Sequence, residues 1–181
     1  MTLLDIPFVD VRGDTLRWTL APVPCTPLAS RTVLLEGGVS VTLSVLGASH
    51  QVVVRRDEGV TARSADRPLL HETVACGLAE AAPLAAEHST DGYRLASHVR
   101  EVGPDELAAE ASRLVEGLSG RTDAVVAHFP GDPHAVTALA LDGVGGTSAG
   151  EITWRTWHTY PQTGEIVATT TSYRPEEVAR V

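Results

Sequence analysis

The sequence predicts an α+β protein, with a mostly antiparallel β-sheet, two main helices packed on one face and a C-terminal β-hairpin. Three observations predict it. Within residues 31–56, Val39, Val41, Leu43 and Val45 alternate with small polar residues after the Gly37–Gly38 break, and a β-branched run, "QVVVRR", follows, as in half-buried strands. Two later stretches, 104–120 and 132–143, carry helix start and stop signals. Two β-rich runs, "EITWRTWHTY" and "EIVATTTSY", flank "PQTG", a turn with proline early and glycine late.

Taken in order, the first thirty residues are punctuated by Pro7, Pro22, Pro24 and Pro27, which suits an extended segment wrapped on the body of a single domain spanning 1–181. Within it "DTLRWTL" reads as a short helix capped by Asp14, or else as a strand with Leu16, Trp18 and Leu20 on one face; the helix is preferred. "RTVLLE" stops at Gly37–Gly38, "VSVTLSVLG" alternates Val39, Val41, Leu43 and Val45 with small polar residues, and "QVVVRR" follows a turn at "GASH". These make a β-hairpin or meander with one buried face. "DEGVTARSADRP" reads as loop, "LLHETVACGL" as a strand, the alanine-rich piece around Pro83 as a loop or poor helix, and "YRLASHVREV" as a strand.

In "PDELAAEASRLVEGLSG", Leu107, Ala111, Leu114, Val115 and Leu118 fall on one stripe of a 3.6-residue period. The ends agree with the middle. Pro104 suits the first helical position, Asp105 and Glu106 complement the positive end of the helix dipole, and Gly120 suits the stop. The strand "DAVVAHF" then leads to "PGDPHAVTALALDG", where Asp132 before Pro133 starts the second expected helix and Gly143 ends it. In the closing hairpin, pairing Tyr160 with Glu165 puts Ile152, Trp154, His158, Tyr160, Val167 and Tyr173 on one face. Arg155, Trp157, Ile166 and Ala168 take the other. Both faces are apolar enough to require cover.

The chain of 181 residues carries a net charge of −9, and arginine supplies all 14 basic side chains. These are scattered apart from Arg55–Arg56, so the basic patch that a nucleic-acid binder uses to neutralise phosphate is missing, and anionic membranes are disfavoured on the same ground. No stretch has the ~18 apolar residues of a membrane-spanning helix, and "MTLLDIPFVD" lacks the basic and apolar regions of a secretory leader. A cytoplasmic protein is expected. Cys25 and Cys76 stand in no metal or disulfide spacing and read as buried free thiols.

Three stretches, "LGASHQV" (46–52), "FPGDPHAVTALA" (129–140) and "WRTWHTYPQTGEIV" (154–167), occur in an order that resembles a family of uncharacterised proteins from high-GC actinobacteria. The likeness covers most of the chain. It implies a cytoplasmic protein and no reaction, ligand or catalytic residue.

Among the candidate sites, "HFPGDPH" offers His128, Asp132 and His134 as metal donors, but capping of a helix explains the same residues more simply. Ser49 and His50 are adjacent, and adjacent residues of a strand face opposite ways, so they make a poor nucleophile–base dyad; in "HET" the same geometry separates His71 from Glu72. "GVGG" (143–146) lacks the lysine and serine or threonine of a phosphate loop. There remains the aromatic hairpin, whose Trp154, His158 and Tyr160 share a face as either core or pocket. The expected function is a non-catalytic module binding a small molecule or a protein partner there, with His50 and His71 as further candidates, and with no metal or cofactor. The alternative is an enzyme using His158 with other histidines for acid–base or metal-assisted chemistry.

Overall fold

The structure is a computed structural model and describes residues 3–12, 15–24, 27–45, 49–56, 68–75, 87–90, 93–129, 131–142, 147–148 and 150–174. Cys25, Cys76, the stretch around Pro83 and the glycine-rich residues 143–146 lie outside them.

Two sheets face each other. The first is built from β1 (Leu3–Arg12), β2 (Thr15–Pro24), β3 (Ala29–Leu35), β4 (Val39–Val45), β5 (Ser49–Arg56) and β6 (Pro68–Ala75), in the order β2-β1-β6-β5-β4-β3. The second is built from β7 (Glu87–Thr90), β8 (Tyr93–Glu101), β9 (Ala124–Phe129), β10 (Asp132–Leu141), β12 (Glu151–Tyr160) and β13 (Glu165–Tyr173), in the order β7-β8-β13-β12-β10-β9, with the short β11 (Thr147–Ser148) paired to β12. Among the described residues every strand pairing is antiparallel except that of β1 with β6.

Period-2 alternation explains how the layers close. Val41, Leu43, Val45, Val52 and Val54 of the first sheet form one buried cluster with Val125, Leu139, Leu141, Ile152, Trp154 and Tyr173 of the second. The single helix among the described residues, α1 (Pro104–Leu118), lies on the outer face of the second sheet. Its buried stripe, Ala111, Leu114 and Leu118, packs on Ala124, Val136, Ala138 and Ala140. The small residues of β9 and β10 let the helix approach closely.

This architecture corrects the expected fold class. Among the described residues there is one helix rather than two, because Asp132–Leu141, where the second was expected, forms β10. Residues 136–141 are all buried, Thr137, Leu139 and Leu141 toward the first sheet and Val136, Ala138 and Ala140 toward α1. A run covered on both sides shows no one-sided stripe, so alanine and leucine content suggests a helix where tertiary packing imposes a strand. The Asp–Pro signal is used differently too. The Asp132 Oδ1 accepts the His134 backbone N–H at 2.9 Å, capping a local turn where a helix was expected. Residues 15–20 of "DTLRWTL" are likewise strand, part of β2, which pairs along the whole of β1 from Leu3↔Pro24 to Arg12↔Thr15; the expected cap Asp14 lies outside the described residues. β2 is an edge strand, the setting in which Pro22 and Pro24 are tolerated.

The closing hairpin has the expected register, Tyr160↔Glu165 through Ile152↔Tyr173. Gly164 makes its turn possible. It sits at φ +73°, donates its N–H to the Tyr160 carbonyl at 2.8 Å, and leaves no room for a Cβ, which would meet the Val102 carbonyl oxygen at 2.8 Å.

Candidate functional site: a histidine pair beneath a pocket

β12 delivers Trp154, Thr156, His158 and Tyr160 to the face that meets the first sheet, and β5 delivers His50 to the opposing face. The two imidazoles meet between the sheets. His50 Nδ1 lies 3.1 Å from His158 Nε2, with ring centroids 5.3 Å apart and planes tilted by 31°. The residues are 1% and 2% exposed, so this is a contact of the interior. On its other side His158 Nδ1 lies 3.0 Å from the Thr137 Oγ1 of β10. Tyr160, two positions along β12, stacks beside His158 with centroids 6.0 Å apart and planes 16° from parallel.

Two tautomeric arrangements satisfy this chain. Either His158 donates Nδ1–H to Thr137 and accepts at Nε2 from His50, or Thr137 donates to Nδ1 and His158 donates Nε2–H to His50. Both need a neutral His158. Burial, reinforced by repulsion from His50, pushes its pKa from 6.5 to about 3, so the ring is uncharged at neutral pH.

His158 and Thr137 also line a pocket of about 70 Å³, together with Phe129, Ala135, Thr159, Tyr160 and Gln162. Its lining carries no charged side chain. A bulge builds its rim. From Phe129↔Asp132 to His128↔Val136, β10 advances four residues while β9 advances one. Thr159 of β12 replaces the broken ladder, its hydroxyl accepting the Val136 N–H at 2.8 Å and donating to the His134 carbonyl at 2.5 Å. His128 Nδ1–H donates to the Pro133 carbonyl at 3.1 Å across the same bulge.

The residues singled out from sequence therefore part company. His50, His158 and Tyr160 come together. Trp154 is wholly buried in the inter-sheet core and does not reach the pocket. In the β5–β6 register His71 pairs with Val53, whereas His50 pairs with Val74. The His128 ring and the Asp132 carboxylate are engaged within the bulge, His134 joins it through its backbone N–H, and no three histidine, cysteine, aspartate or glutamate side chains among the described residues form a metal-binding group. Thr137, Phe129, Ala135, Thr159 and Gln162 were not singled out as site residues. The motif "HFPGDPH" did mark the rim, although as a helix start.

In class, this is a β-sandwich with a helix over one sheet and a buried histidine pair under a pocket at one end. More narrowly, the chain belongs to the family described as "Protein of unknown function DUF2617", whose model matches residues 13–174. It is 36% identical over 176 residues to the uncharacterized proteins Mb2629 of Mycobacterium bovis and Rv2598 of Mycobacterium tuberculosis, covering 92% of this chain and 94% of each relative. Both organisms are actinobacteria, in keeping with the resemblance drawn from the motifs. No solved structure matches. No helix among the described residues is long and apolar enough to cross a membrane.

Proposed function

We propose that the protein is a non-catalytic binding module that takes one small, uncharged, mainly apolar molecule in the pocket above His158, and that it does so in the cytoplasm. The observation that carries this reading is the lining itself: Phe129, Ala135 and Tyr160 supply apolar walls, and no charged group faces the space. The nitrogens of His158 are engaged by Thr137 and His50, so the ring offers its face and edge as a wall. Indole and phenol are suitable probes. Each is expected to raise the melting temperature in a saturable way by binding the native state alone, and the shift should vanish in Ala135→Phe, which fills the pocket. Failure of both probes to bind the folded protein would contradict the reading.

A second reading, a histidine-based enzyme, is favoured by one observation. Thr137, His158 and His50 form a hydrogen-bonded chain ending at the pocket, the arrangement of nucleophile, base and orienting group. Against it stands the pKa of about 3, since a general base works best with a pKa near the operating pH. Turnover of small activated esters that disappears in Thr137→Val would favour the enzyme over the module.

A further inference from the structure

The hydroxyl of Thr137 belongs to two structures at once: it lines the pocket, and its Oγ1 lies 3.0 Å from His158 Nδ1. A hydroxyl has one hydrogen and two lone pairs, so what it gives to His158 decides what it keeps for the pocket. If Thr137 accepts from His158 Nδ1–H, both imidazoles of the pair carry their hydrogen on Nδ1. If Thr137 donates to Nδ1, His158 donates Nε2–H to His50 Nδ1 and both rings are Nε2–H tautomers. A neutral histidine side chain intrinsically favours the Nε2–H form, so the second arrangement suits both rings. Thr137 then turns its hydrogen inward and presents only lone pairs to the pocket.

Its neighbours on the wall are spent. The Thr159 hydroxyl accepts the Val136 N–H and donates to the His134 carbonyl, and both nitrogens of His158 are engaged. Resting on the pocket reading above, we propose that Thr137 Oγ1 is the acceptor that sets the specificity of the pocket, selecting neutral aromatic molecules that carry one O–H or N–H donor, phenols and indoles among them. The near-parallel rings of His158 and Tyr160 and the apolar Phe129 and Ala135 suit a flat ring, whose donor meets Thr137. The ligand then extends the chain of hydrogen bonds through Thr137 and His158 to His50, each bond polarising the next.

The test pairs each donor probe with a near-isostere that lacks the donor, phenol with toluene and indole with indene, and measures affinities by calorimetry in the full chain. Wild type is expected to bind phenol at least as tightly as toluene, although the methyl group is the more hydrophobic. In Thr137→Val the ligand O–H is buried without an acceptor, so the phenol-to-toluene affinity ratio should fall at least about fivefold. Thr137→Ser, which keeps the hydroxyl, should restore the ratio. Histidine 1H–15N NMR of wild type is the second readout: His158 is an Nε2–H tautomer in the free protein, and phenol shifts its Nδ1 resonance further than toluene does. A His158 hydrogen found on Nδ1, or a ratio that Thr137→Val leaves unchanged, overturns the proposal. The NMR readout decides even if Thr137→Val fails to fold. If all four probes bind with no regard to Thr137, the pocket reading stands and this specificity falls; if none binds, both fall.

Discussion

The two ends of the inner face of β10 and β12 are made by the same strands with the same alternation, yet they do different things. At one end Leu139, Leu141, Ile152 and Trp154 are sealed against the valines of β4 and β5. At the other, Thr137, His158 and Tyr160 meet His50 and border a pocket. The cause is what stands opposite. Where apolar strand faces apolar strand, burial closes the space; where β10 bulges away from β9, the wall is set back and a polar pair takes the place of packed methyl groups.

The largest expected effect comes from breaking the sealed end. Leu139→Ala removes a fully buried side chain and should cost about 2–5 kcal/mol by denaturant unfolding, while leaving binding of probes at the far end intact in the folded fraction. A loss below about 1 kcal/mol would mean that the sheets do not seal there.

Acid should act on the other end. His158 is protonated in the unfolded chain below 6.5 but in the native state only near 3, so between these values the unfolded state binds more protons and stability falls as pH drops. The contribution is fully present above 6.5. At a slope of about 1.4 kcal/mol per pH unit, about 2 kcal/mol should be lost by pH 5, and comparing wild type with His158→Gln isolates it, because the variant lacks that part of the slope.

The bulge that separates the two ends can be tested by Thr159→Val, which leaves the buried Val136 N–H and the His134 carbonyl without their hydroxyl partner. A loss of about 1–3 kcal/mol is expected, with pocket-probe affinity reduced because the rim shifts. The smallest effect on stability should come from Phe129→Ala. This side chain is 46% exposed and should cost under about 1 kcal/mol, yet its loss should abolish probe binding. Unchanged binding would remove Phe129 from the site.

What was legible in the sequence follows from which interactions are local. The hairpin turn and the strict alternation fix Tyr160 against Glu165, so the shared face of Trp154, His158 and Tyr160 could be read directly. The helix stripe at 107–118 shows for the same reason: one face is buried and the other wet. β10 could not be read correctly, because cover on both sides erases the periodicity that separates strand from helix. Nor could the division of the hairpin face into core and pocket be foreseen. His50 and His158 are 108 residues apart, and only the packing of one sheet on the other decides that an imidazole faces His158 while valines face Trp154.

The central claim is a neutral imidazole pair, hydrogen-bonded between two sheets at the base of a pocket. Long-range 1H–15N correlation of the histidine side chains across a pH titration tests it most directly. The account predicts that His158 stays a single neutral tautomer at pH 7 and down to pH 5, with a nitrogen–nitrogen coupling to His50 through the shared hydrogen. A His158 ring that titrates near 6.5, like a solvated histidine, with no coupling to His50, would contradict it.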